Sequence, residues 1–155
     1  MINLIIDNSK FSIPKSNFSL DFVRLKCLVG FKEEESANYR LCEGIVDTGS
    51  YVIVLPFRLS ERIEKEVSGK YKIKGFYTKG ECAIPVSGKT KCVLFDKQGN
   101  SSCEMIIYSY FVQTDEIPII LGFADLLTRF KIKINYQKGI AFLDWFFYFP
   151  LLRTF

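Results

Sequence analysis

Seven consecutive residues, Phe130-Lys131-Ile132-Lys133-Ile134-Asn135-Tyr136, alternate apolar and polar side chains without a break. Successive side chains of an extended strand point to opposite faces, so this pattern gives one wet face and one buried face. The same period of two recurs through most of the chain. Phe18, Leu20 and Phe22 share one parity, and Val23, Leu25, Cys27 and Val29 take the other; the change predicts a bulge or bend between two strand segments. The charged run 32–38 reads as an exposed hairpin loop, Asp96-Lys97-Gln98-Gly99-Asn100 as a second turn, and Gly139 as a third between 130–136 and 140–145. Leu59, Ile63 and Val67 instead recur every four residues after Pro56, which predicts a short amphipathic helix ending near Gly69. The expectation is an all-β chain, a closed or partly closed barrel with one or two short helices.

Composition narrows the chemistry. With 155 residues, 48% hydrophobic and 15% aromatic, the chain can enclose a core of its own. There is no histidine, which excludes Ser-His and Cys-His catalytic pairs. The five cysteines, Cys27, Cys42, Cys82, Cys92 and Cys103, contain no C-x-x-C, so no structural metal site is expected. A net charge of +4 is modest and scattered; Lys70, Lys72 and Lys74 alternate as a solvated strand face would, and no nucleic-acid track is read. The start of the chain lacks the basic and apolar blocks of a signal peptide. The apolar run at 145–152 is broken by Pro150 and too short to span a membrane. A cytoplasmic placement with reduced thiols is the expectation.

Chemistry then has to run on carboxylates, lysines, tyrosines or thiols. One carboxylate stands out. In Ile45-Val46-Asp47-Thr48-Gly49-Ser50 two apolar residues deliver Asp47 into a turn, and the apolar run 51–55 leaves it. Such a loop holds a side chain rigidly while its tip faces a cleft. Alone, the triplet fits a polar turn between strands of any β-protein. A second segment, Ile119-Ile120-Leu121-Gly122-Phe123-Ala124-Asp125-Leu126-Leu127, adds an apolar-apolar-Gly strand end followed by what reads as a short helix.

The two segments, in this order and spacing, resemble the retropepsin family of single-domain aspartic proteases, with likeness over residues 24–144. The resemblance implies an N-terminal extension or strand at 1–22, a protease domain at 23–145 and an aromatic tail at 146–155. It makes Asp47 the catalytic residue. Thr48 would hydrogen-bond across a dimer axis, Gly49 would let backbone amides approach the carboxylate, and Ser50 would donate its hydroxyl to that carboxylate and favour an acidic optimum. Gly122 would lie on a strand crossing close behind the loop, and Asp125 on the helix after it. The hairpin Gly75-Phe76-Tyr77-Thr78-Lys79-Gly80 would be the flap that closes on an extended peptide. Peptide hydrolysis by carboxylates needs two of them about 3 Å apart sharing a proton. The chain holds one Asp-Thr-Gly, so the implied enzyme is a homodimer without cofactor or metal, acting on peptide or protein. The alternative is a catalytically inactive domain of the same fold that binds peptide or mediates assembly. The tail would serve as an interface strand, a cover for the barrel or a plug in the cleft.

Overall fold

The computed structural model describes residues 1–12, 19–70, 77–78, 81–82 and 85–145. Its strands are β1 (Ile2–Asn3), β2 (Ile5–Ser12), β3 (Ser19–Lys32), β4 (Tyr39–Val46), β5 (Ile53–Leu55), β6 (Lys65–Lys70), β7 (Tyr77–Thr78), β8 (Glu81–Cys82), β9 (Val86–Phe95), β10 (Met105–Phe111), β11 (Ile120–Leu121), β12 (Phe130–Asn135) and β13 (Ile140–Trp145). One α-helix of four residues, α1 (Phe57–Ser60), and one 3₁₀ turn, Leu127–Arg129, complete the list among the described residues. The protein is nearly all β.

The main sheet closes on itself. The order β3-β4-β11-β5-β10-β9 returns to β3 through an antiparallel ladder between Leu28–Phe31 and Cys92–Phe95. Two strands flank this ring: β2 extends it along the first half of β3, and β6 along β9. Closure removes the unpaired edges that an open sheet would present. The ring encloses Val29, Phe31, Ile53, Leu55, Leu94, Ile107 and Leu121, each at most 1% exposed. Every second residue supplies this interior: β10 alternates buried and more exposed positions from Met105 to Phe111. A second sheet, β1-β13-β12, packs Ile2, Phe130, Ala141 and Leu143 into the same core. The first residues are thus part of the barrel's packing; the Leu4 amide also donates to the Ala141 carbonyl at 2.8 Å.

Three local expectations differ from the structure. The four-residue period at 59–67 yields only α1; after a turn the chain becomes β6 and pairs with β9. Pro56 precedes the helix as expected, but Ser68 and Gly69 are poor helix formers, and β9 offers open backbone groups that β6 satisfies. Ile63 is buried while Val67 is exposed, so the two do not share one face. The parity change near residue 22 produces no bulge: β3 runs 14 residues, and its ladder with β2 is unbroken from Ile5–Lys26 to Ser12–Ser19. Phe22 and Val23 are both exposed there, and parity specifies a face only where one face is buried. After Gly122 the chain forms a run of turns and a 3₁₀ turn rather than an α-helix, with Asp125 in the left-handed region at φ 60°.

Other readings coincide with the structure. The loop at 32–38 joins β3 to β4, the turn at 96–100 joins β9 to β10, and Gly139, at φ 62°, joins β12 to β13. Tyr77–Thr78 and Glu81–Cys82 pair antiparallel. Gly75, Phe76, Lys79 and Gly80 lie outside the described residues, as do Lys72, Lys74 and the tail at 146–155. No helix among the described residues is long and apolar enough to cross a membrane.

Candidate active site

The Asp47 loop is built by two strands and locked by a third segment. β4 brings the chain in through buried Val46, and β5 takes it away through buried Ile53 and Val54. β11 lies between them, parallel to β4 and antiparallel to β5. The bonds continue past the strand ends. The Ile45 amide donates to the Ile119 carbonyl at 2.8 Å, and the Asp47 amide to the Leu121 carbonyl at 3.0 Å. On the far side of the loop, Phe123 N–H donates to the Ser50 carbonyl and Ala124 N–H to the Tyr51 carbonyl, both at 2.8 Å. Residues 119–124 therefore hold the loop on both flanks.

Gly122 sits at the centre of this clamp. A Cβ there would stand 2.1 Å from the Val52 carbonyl oxygen and 3.0 Å from that of Ser50. Both are backbone atoms, so no rotamer change relieves the overlap. The close approach allows the flanking bonds to form, and only glycine permits it.

Within the loop, the Gly49 amide donates to Asp47 Oδ1 at 2.9 Å, and the Ser50 amide closes a turn onto the Asp47 carbonyl at 3.3 Å. The carboxylate is thereby oriented by backbone alone. Ser50 departs from expectation: its hydroxyl donates to the Val52 carbonyl at 2.8 Å, not to the Asp47 carboxylate. That bond braces the exit of the loop beside Gly122, and an acidic optimum argued from a Ser50–Asp47 bond loses its basis.

Asp47 is half-buried and, with Thr48, forms one end of an open cleft of ≈ 300 Å³. Its walls come from Val23, Arg24 and Leu25 on β3, Ile45 and Val46 on β4, and Ile132, Ile134 and Tyr136 from β12 and the turn after it. The cleft exists because strands part company. The β3–β4 ladder ends at Lys26–Ile45; β3 carries on with β2, while β4 turns off along β11. Thr48, Gly49 and Tyr51 are exposed at the mouth, Tyr51 to 79%. Among the described residues that line the cleft, Asp47 is the sole carboxylate. One chain so arranged offers a fixed acid and a groove and, among the described residues lining it, no second acid to share a proton.

Sequence reasoning found Asp47, Gly49 and Gly122, which the structure brings together, and assigned nothing to Arg24 or β12, which also form the cleft. Both were visible only as strand residues, since their approach to Asp47 depends on long-range pairing. Of the expected flap, the described part is the pairing of Tyr77–Thr78 with Glu81–Cys82.

No protein-family model matches the chain, and no curated protein matches it in sequence. In structure the chain is similar to a retropepsin-like aspartic protease from Rickettsia conorii, at 17% identity over 94% of this chain and 97% of that one, with a TM-score of 0.44.

Proposed function

We propose that this protein is an aspartic endopeptidase whose active site assembles from two copies of the chain. The observation that carries the reading is the Asp47 carboxylate, oriented by the Gly49 amide on a loop clamped by 119–124, at the head of an open groove. Rigid placement of an acid beside a peptide-sized groove is what catalysis by positioning requires. The single Asp-Thr-Gly of the chain, with no second carboxylate among the described residues lining the cleft, motivates the dimer. A two-fold axis past the exposed loop tip brings Asp47 against its twin, an isologous contact in which the same surface meets itself.

In such a pair the two carboxylates share one proton, because two like charges about 3 Å apart do not both ionise. The ionised member takes a proton from a water as it attacks the peptide carbonyl. The protonated member donates to the carbonyl oxygen, and the proton then passes to the leaving amine. Thr48 and Gly49, exposed at the tip, are the residues placed to meet the partner loop. The segment with Gly75, Phe76, Tyr77, Thr78, Lys79 and Gly80 would serve as the flap over bound peptide.

The test compares wild type with Asp47→Asn on a mixed peptide library between about pH 3 and 7, the range that brackets carboxylate titration. Cleavage by wild type that falls by about a thousandfold or more in the variant is expected for loss of one member of the dyad. Equal cleavage, or none by either protein, removes the endopeptidase reading; peptide binding without cleavage points to the non-catalytic domain of the same fold.

A further inference from the structure

Among the described residues lining the cleft Arg24 is the one cation, and its position follows from strand register. Residue numbers paired between β3 and β4 run from Lys32–Tyr39 to Lys26–Ile45. Continuing that register by two residues sets Arg24 opposite Asp47. The strands have separated there, and both residues line the cleft between them. The other described lining residues are apolar apart from Asp47, Thr48 and the Tyr136 hydroxyl.

Arg24 is also free to act. Its cross-strand neighbour on β2 is Asp7, but Asp7 accepts a hydrogen bond and ion pair from Lys26 at 2.8 Å, and Lys26 also reaches Glu43 at 2.8 Å. The Lys26 hydrogen bond and charge hold the Asp7 carboxyl below its usual range, and Arg24 adds only a smaller pull from a distance. Arg24 makes no ion pair with a described residue. An exposed guanidinium at the wall of the groove, with no ion pair to a described acid, is a fork of donors shaped for a planar carboxylate.

We propose that Arg24 is a specificity-determining residue that pairs with a carboxylate of the bound peptide, beside the bond presented to Asp47. The inference rests on the peptide-binding reading of the cleft but not on catalysis. The carboxylate has two sources, an acidic side chain or a C-terminus, and both are planar anions of the same size. Apolar neighbours at Val23, Ile132, Ile134 and Tyr136 would take the adjacent side chains. An extended peptide presents alternate side chains to one wall, so the preference should fall at one position or at positions of one parity.

The test uses Asp47→Asn protein, so that probes bind without turnover, and fluorescent octapeptides read by anisotropy. One set carries Glu or Gln at each position in turn; a second compares free C-terminal acid with amide. Tighter binding of Glu over Gln at one position by about fivefold, the size of a partly exposed charge pair, is the expected result. A preference for the free acid over the amide instead assigns the pairing to the C-terminus. Adding Arg24→Gln should abolish whichever preference is seen, Arg24→Lys should keep most of it, and Arg24→Glu should reverse it. Raising salt should weaken the preference. Equal binding of acidic and neutral probes, no binding of either, or a preference that survives Arg24→Gln overturns the proposal. Cleavage of the same peptides by wild type is measured separately: acid-selective binding without cleavage keeps this inference and sinks the endopeptidase reading.

Discussion

Gly122 and Asp47 stand 75 positions apart in the chain yet depend on each other through backbone contacts. Replacing Gly122 by alanine would drive a methyl group into the Val52 carbonyl. Overpacking against backbone costs about 3 kcal/mol, which lowers the unfolding midpoint of a chain this size by roughly 5–12 °C. Thermal unfolding of Gly122→Ala checks this, and an unchanged midpoint would show that the crossing is looser than described. Asp47→Asn should leave the midpoint within about 2 °C of wild type, since its side chain is half-exposed and accepts from the Gly49 amide of its own loop. The thiols give a second check. Burial, with a smaller push from Asp96, raises the Cys27 thiol to about 12, and burial raises Cys92 to about 12, whereas Cys103 is exposed. Iodoacetamide at neutral pH should therefore label Cys103 within minutes and Cys27 and Cys92 only after unfolding, as peptide mass spectrometry would reveal. Asp47 was legible in the sequence because apolar residues flank a turn made of Asp, Thr and Gly. The role of the Ser50 hydroxyl was not, because its acceptor depends on which carbonyl the fold brings near.

The turn at 96–100 shows how an element can carry more than its own geometry. Asp96 Oδ1 accepts from the Gln98 and Asn100 amides at 3.0 and 2.8 Å, and Oδ2 from the Asn3 amide and the Asn3 and Asn100 side chains at 3.2, 2.9 and 2.8 Å. It thus seats β1 as well as closing the hairpin. Burial pushes the Asp96 carboxyl up, but the hydrogen bonds from Asn100 and Asn3 outweigh it and hold the group well below the usual carboxylate range. A group whose value is lower folded than unfolded contributes its stability above the unfolded value, near pH 4, and loses it as acid is added below that. Asp96→Asn places amide hydrogens against the Asn3 and Asn100 donors and should cost about 1–3 kcal/mol at neutral pH. Its unfolding midpoint should also change less than that of wild type between about pH 4 and 2. Parallel acid dependence in the two proteins would contradict this role for Asp96. Elements with turn chemistry at both ends, such as the hairpin of β12 and β13, were readable from the sequence. Residues 57–70 were not, since four-residue spacing at Leu59, Ile63 and Val67 also suits a short helix followed by a strand. What decided between them was β9, a partner supplied by distant sequence.

At the scale of the molecule, the closed ring of strands fixes the Asp47 loop, and the splaying of β3 from β4 opens the cleft beneath it. The barrel itself could be read from alternation and turns. Its closure through β3 and β9, and the approach of β12 to Asp47, are long-range pairings that no local pattern encodes. The apolar side chains left exposed beside the loop, outside the lining of the cleft, include Tyr51 and Phe123. A rim of this kind around a single acid is what a two-copy site would cover. Activity should therefore fall more steeply than in proportion when the protein is diluted below its dimer dissociation constant. The most direct measurement mixes wild type with Asp47→Asn protein and follows peptide cleavage at fixed wild-type concentration after the chains have exchanged. If each site takes one Asp47 from each of two chains, activity per wild-type chain falls with the wild-type fraction, to about half in an equal mixture and lower as the variant is added. Activity that stays constant at every ratio, at concentrations where the chains associate, would contradict the shared site.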